Sequence, residues 1–157
     1  LDTMNFWMDN FMPDLKEALK NTDVLTINDD EARQLSGEYS LLIAAKKILT
    51  MGPKYLIIKK GEHGAILFGE DKMFYSPAVM LENVVDPTGA GDSFAGGFIG
   101  YLAKTKEITF DNMKKAVVYG TVLASFTVEK LGIESIENIE EEKVNKRLAE
   151  IRSVVSF

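Results

Sequence analysis

Asp86-Pro87-Thr88-Gly89-Ala90-Gly91-Asp92-Ser93-Phe94-Ala95-Gly96-Gly97 is the stretch on which the reading of this chain turns. Val84-Val85 precede it as a strand end, and Phe94, Phe98 and Leu102 recur behind it at helical spacing. The glycines therefore lie where a strand hands over to a helix. There Gly89, Ala90 and Gly91 can present consecutive backbone N–H groups at a helix N-terminus, where the macrodipole also favours negative charge. The spacing predicts an anion cradle. Asp92, in the first turn, is placed to accept a proton from a hydroxyl held at the cradle, and the helix end favours its ionised form. Two other phosphate-binding patterns fail on spacing. A P-loop needs a Lys after its glycines, and none follows; a dinucleotide fingerprint begun at Gly89 would want glycine where Phe94 stands. The plain alternative is a tight strand-to-helix turn with an Asp cap. Gly96, Gly97 and Gly100 each cost a helix roughly 1 kcal/mol against alanine, so a close approach by a backbone or a ligand is expected there.

Working outward, the segments before this stretch alternate between strand and helix. Leu15, Ala18 and Leu19 mark one side of a helix ending near Asn21. Asp23 to Asn28 is an apolar run of strand length, and Asp29-Asp30-Glu31 load the first turn of the next helix with acid, where the macrodipole favours it. A helix from Leu41 to Thr50 stops at Gly52-Pro53. Tyr55 to Lys60 reads as a buried strand, Gly61 to Gly64 as a turn, Ala65 to Phe68 as its hairpin partner, and Lys72 to Tyr75 as a further strand. Downstream, a buried helix is expected from Asn112 to Lys130, ended by Gly132, and a last helix carries Val144, Leu148 and Ile151. This alternation predicts a three-layer α/β/α fold with a mostly parallel sheet, its ligand loops following Asn28, Lys60 and Val85. No linker or repeat marks a boundary, so residues 1–157 are read as part of a single domain.

Composition excludes several function classes. The 157 residues hold no cysteine and one histidine, His63, which leaves no thiolate or multi-histidine metal site. His63 reads as an ordinary loop residue. With a net charge of -6 and scattered Lys and Arg there is no basic stripe for nucleic acid. No apolar run approaches the roughly 20 residues of a membrane span, and the first residues lack a signal peptide's pattern. A cytoplasmic protein is the expectation. The start at Leu1, inside what reads as a strand end, is read as the interior of a longer protein.

Asp86 through Gly97 closely resembles the C-terminal signature of the ribokinase (PfkB-type) family of carbohydrate and nucleoside kinases. Two upstream segments agree in order and spacing. Asn28-Asp29-Asp30-Glu31 resembles the family's N-x-x-E motif, which implies that Asn28 and Glu31 face one crevice and help place magnesium and the nucleotide phosphates. Lys60-Gly61-Glu62-His63-Gly64 resembles the loop around the ATP phosphates, with Lys60 as a cation and Glu62 beside it. By resemblance, nucleotide contacts also fall near the start of the long helix around Thr121, where relatives often carry Asn. A potassium ion would sit at Asp86 and Thr88, near backbone oxygens of Thr127, Lys130 and Gly132; a structural Asp-Pro turn explains the same residues.

The resemblance implies the C-terminal, nucleotide-binding and catalytic portion of a ribokinase-like (Rossmann-like) domain, using ATP and Mg2+. Its substrate would be the hydroxymethyl group of a sugar, sugar phosphate or nucleoside. Asp92 would be the general base, and the Gly89-Ala90-Gly91 amides the anion hole. A homodimer of the longer protein is a further expectation, and no nucleic acid or membrane partner is expected. Two rivals are a kinase for a vitamin-like hydroxymethyl heterocycle and a nucleotide-binding regulatory or sensor module without turnover. Asp92 speaks against the sensor, which needs no base.

Overall fold

The computed structural model describes residues 1–132 and 134–156. They group into two compact units, one of residues 1–61 and 66–75, the other of residues 62–65 and 76–157. The sequence shows no such boundary because the chain passes back and forth between the units with no linker.

The first unit contains α1 (Asn5–Asn10), α2 (Met12–Leu19), β1 (Val24–Asn28), α3 (Asp29–Ser36), α4 (Leu41–Leu49) and β2 (Tyr55–Lys59). β3 (Ala65–Gly69) and β4 (Lys72–Ser76) complete a sheet of order β1-β2-β3-β4. β1 and β2 pair in parallel, with Thr26 opposite Ile57 and Asn28 opposite Lys59. The segment before α1 continues the parallel arrangement through a bridge from Asp2 to Thr26. Between β3 and β4, Glu70 and Asp71 both take left-handed conformations (φ 53° and 56°), as a two-residue hairpin turn requires. The Tyr55 hydroxyl donates to the Glu70 carboxylate.

Strand alternation sorts the side chains. Leu25, Ile27, Leu56 and Ile58 pack into one core with Leu15, Leu19, Leu35 and Ile48, giving α2, α3 and α4 the sheet face their apolar stripes require. Thr26 and Ile57 on the other face are buried too, which explains why these strands read as continuous apolar runs. α1 was not legible in the sequence: only Met8 of its residues is buried, so no stripe announces it.

The second unit is built on α5 (Ala90–Thr105), α6 (Phe110–Thr127) and α7 (Glu141–Val155). Gly97 and Gly120 form the seam between α5 and α6. A Cβ on Gly97 would lie 2.9 Å from Leu123 Cδ1, and one on Gly120 would lie 2.7 Å from the Phe94 carbonyl. Among the three α5 glycines only Gly97 is closely approached by another helix; Gly96 and Gly100 have no protein atom near a Cβ position. α7 docks on α6 through Val122, Phe126, Val144 and Ile151. Arg147 closes that contact, with its guanidinium 3.7 Å from the Phe126 ring centroid and hydrogen bonds to both Glu129 carboxylate oxygens.

Two sequence expectations are corrected here. No strand precedes Asp86: Val84 and Val85 are exposed, and the Val85 N–H donates to the Val128 carbonyl at 2.8 Å. The backbone there is satisfied by the end of α6 rather than by a sheet neighbour. α6 also stops at Thr127, before the expected Lys130, with Val128 as its C-cap.

Candidate active site

In the second unit the turn into α5 is fixed before any ligand is considered. The Asp86 carboxylate accepts the Thr88 N–H at 2.9 Å, and this bond, aided by the Thr88 hydroxyl, holds its carboxyl below the usual range. The Asp86 N–H also points to the Val128 carbonyl at 3.3 Å. Gly89 is the N-cap of α5 in the left-handed region (φ 81°), a conformation that costs an L-residue roughly 1–2 kcal/mol. The Ala90 N–H turns back to the Pro87 carbonyl at 3.2 Å. One of the three amides expected to form the cradle is thus engaged within its own turn. Asp92 lies in the first turn of α5 and is exposed. Ser93 Oγ accepts from Thr127 Oγ1 at 2.7 Å, tying the start of α5 to the end of α6.

Thr127 therefore lies close to this turn, as expected. Thr121 does not behave as expected. It sits deep within α6 rather than near its start, is buried, and donates its hydroxyl to the Val117 carbonyl at 2.9 Å.

In the first unit Asn28 and Glu31 meet, but as a reciprocal capping box. The Asn28 side chain accepts the Glu31 N–H, and Glu31 Oε2 accepts the Asn28 N–H, both at 2.8 Å. Glu31 is buried, 5% exposed, and not open to solvent as an outward-facing ligand would be. Burial pushes its carboxyl up, opposed by the Asn28 N–H and by the charge of Lys59. Lys59, the residue before Lys60, ion-pairs with Asp2 at 3.2 Å. Its place opposite Asn28 follows from the parallel register, which sequence alone does not reveal.

The loop after β2 carries Lys60, half-buried, then a short 3-10 turn over Gly61–His63 in which Glu62 and His63 are exposed. Gly64 is buried at φ 87°, and a Cβ there would lie 2.0 Å from the Ser76 carbonyl oxygen. Only glycine fits. No group of three or more acidic or histidine side chains able to hold a metal is gathered among the described residues, and no helix is long and apolar enough to cross a membrane.

The model of the pfkB family carbohydrate kinases matches residues 3–139. The chain is 36% identical over 125 residues to a bifunctional ribokinase/ribose-5-phosphate isomerase A of Fructilactobacillus sanfranciscensis, covering 76% of this chain and 22% of that protein. It is 35% identical over 89 residues to a cytidine kinase of Thermococcus kodakarensis, covering 55% of this chain and 32% of that one. Among solved structures, ribokinase from Thermotoga maritima superposes with a TM-score of 0.72 at 32% identity, covering 85% of this chain and 44% of that one. The chain thus spans less than half the length of each of these relatives. The stretch from Asp86, the Asn28–Glu31 corner and the glycine loop after β2 all lie inside the matched span, and the chain belongs to the pfkB family of carbohydrate kinases.

Proposed function

We propose that the protein transfers the γ-phosphoryl group of ATP to the hydroxymethyl group of a sugar, sugar phosphate or nucleoside, with Asp92 as the base. The observation that carries this reading is the start of α5: a left-handed glycine cap, and an exposed carboxylate one turn in. In the reaction the acceptor oxygen bonds to the γ-phosphorus, the bond to the bridging oxygen breaks, ADP leaves, and the hydroxyl proton passes to Asp92. With the Ala90 amide engaged by Pro87, stabilisation of the transferring group rests on the neighbouring Gly89 and Gly91 amides.

A magnesium ion would neutralise phosphate charge. Glu31 suits an indirect role through water, because one carboxylate oxygen is already held by the Asn28 N–H. Lys60, Gly61, Glu62 and Gly64 would line the nucleotide phosphates; Thr121, whose hydroxyl donates to the Val117 carbonyl, keeps acceptor lone pairs for a nucleotide contact. A monovalent cation would sit at Asp86 and Thr88, with backbone oxygens near Thr127, Lys130 and Gly132 completing its shell; the Asp86 carboxylate, which accepts the Thr88 N–H, keeps further lone pairs for it.

ATP consumption by the protein expressed from its complete reading frame, with a panel of sugars and nucleosides, tests the reading. Asp92→Asn should keep ATP binding and lose about 100-fold or more in turnover. Turnover within a few-fold of wild type would remove Asp92 from the role of base.

A further inference from the structure

Lys59 closes β2, directly opposite Asn28 of β1. Its ammonium does not stay over its own strand. It reaches the two carboxylate oxygens of Asp2, at 3.2 and 3.4 Å. Asp2 bridges Thr26 from the other side of β1. The Lys59 side chain therefore crosses the carboxyl end of β1, beside the Asn28–Glu31 capping box. Asp2 is itself oriented by the Thr3 N–H, which donates to Oδ1 at 3.0 Å. The pair is sheltered, with the two side chains 19% and 31% exposed, and the Lys59 charge is felt by the buried Glu31 carboxylate.

We propose that the Lys59–Asp2 pair is a strap holding one positive charge over the carboxyl end of β1, and that this charge governs how the Asn28–Glu31 corner receives a magnesium-bound polyphosphate. The inference rests on the phosphotransferase reading for its ligand, but not for the strap itself. Lys59 is a positioning residue: it acts through Asp2 and the Glu31 corner. Without it, the negative charges of Asp2 and Glu31 at this corner lose the nearby positive charge that offsets them, and the corner repels an incoming polyphosphate. Without Asp2, the ammonium swings on its flexible four-carbon stem and its charge is no longer fixed.

The test uses the protein expressed from its complete reading frame, with Lys59→Met, Lys59→Arg, Asp2→Asn and the Asp2→Asn/Lys59→Met double variant. Thermal unfolding without nucleotide reads the strap. The double variant should recover about 2 °C or more relative to the sum of the single losses, the mark of a coupled pair. Additive losses overturn the strap. Kinetics read its role: Lys59→Met should raise KM for Mg-ATP about 10-fold, the order expected when one fixed charge beside the corner is lost, with acceptor KM within two-fold. Lys59→Arg should return KM for Mg-ATP to within about three-fold of wild type, since it keeps the charge. An unchanged KM for Mg-ATP in a folded Lys59→Met protein, or Arg no better than Met, overturns the role. Should Lys59→Met not fold, Asp2→Asn carries the same comparison with a smaller rise in KM. A wild-type enzyme inert towards every acceptor would sink the phosphotransferase reading instead; Mg-ATP affinity by calorimetry, in the same variants, then replaces KM as the deciding measurement for the strap.

Discussion

Replacing Gly64 and Gly61 separately with alanine isolates how much the loop after β2 depends on a single missing methyl group. Both glycines lie in the left-handed region, Gly61 at φ 54° and Gly64 at φ 87°. An L-residue there costs roughly 1–2 kcal/mol whichever position is changed. Their surroundings differ. A Cβ on Gly61 meets nothing within 4 Å, whereas one on Gly64 would lie 2.0 Å from the Ser76 carbonyl oxygen and 2.8 Å from the Ala78 nitrogen. Those are backbone atoms, which cannot step aside by changing rotamer, so overpacking of roughly 1–3 kcal/mol adds to the conformational cost. Gly61→Ala should lose about 1–2 kcal/mol and Gly64→Ala about 2–5 kcal/mol. At roughly 2–4 °C per kcal/mol for a chain of this size, the melting temperature should fall by about 2–8 °C and about 4–20 °C. Thermal unfolding followed by circular dichroism, with both variants under one buffer, measures the difference. Equal losses, or Gly64→Ala melting within a degree of wild type, would refute the argument from close approach.

Glu31→Gln should raise the magnesium concentration needed for half-maximal rate while leaving the protein folded, because the amide oxygen can still accept the Asn28 N–H. A titration superimposing on wild type would remove Glu31 from the site. Exchanging sodium for potassium should raise activity if Asp86 and Thr88 border a cation; equal rates would leave them as the structural turn their 2.9 Å bond already makes. The hydrogen bond from Tyr55 to Glu70 pushes the phenol up to about 12. A raised folded pKa means the folded protein keeps a proton that the unfolded chain loses above about 10, so this stability is intact below pH 10 and disappears as pH climbs through about 12. Wild type and Tyr55→Phe should therefore differ most below pH 10 and converge towards pH 12; parallel denaturation curves across that range would contradict it.

Where local chemistry decides a structure, the sequence was readable. Asp29-Asp30-Glu31 announce a helix start by their acid, Gly52-Pro53 stops α4, and the apolar runs of β1 and β2 follow from burial on both faces. Partnership across distance was not readable. The N-x-x-E spacing says nothing about Glu31 being buried, and that Lys59 falls opposite Asn28 depends on the register of β1 and β2. Val84 and Val85 have strand composition, yet the Val85 N–H is claimed by the Val128 carbonyl at the end of a helix over 40 residues later in the chain. Thr121 has the residue type for a ligand contact, but a hydroxyl inside a helix finds the carbonyl four residues back first.

The interleaving of the two units sets an order on synthesis. Every residue of the first unit has been made by Tyr75, whereas the second unit takes its opening residues, Glu62–Ala65, from the middle of the first and its remainder from Ser76 onward. Emerging from the ribosome, the sheet unit can assemble while most of the second unit is still untranslated. Gly64, in the loop between β2 and β3, must then wait for Ser76, Pro77 and Ala78 to be made. A cut at Ser76 would not release the helical unit intact, because Gly64, whose backbone lies against Ser76 and Pro77, would stay behind on the other piece.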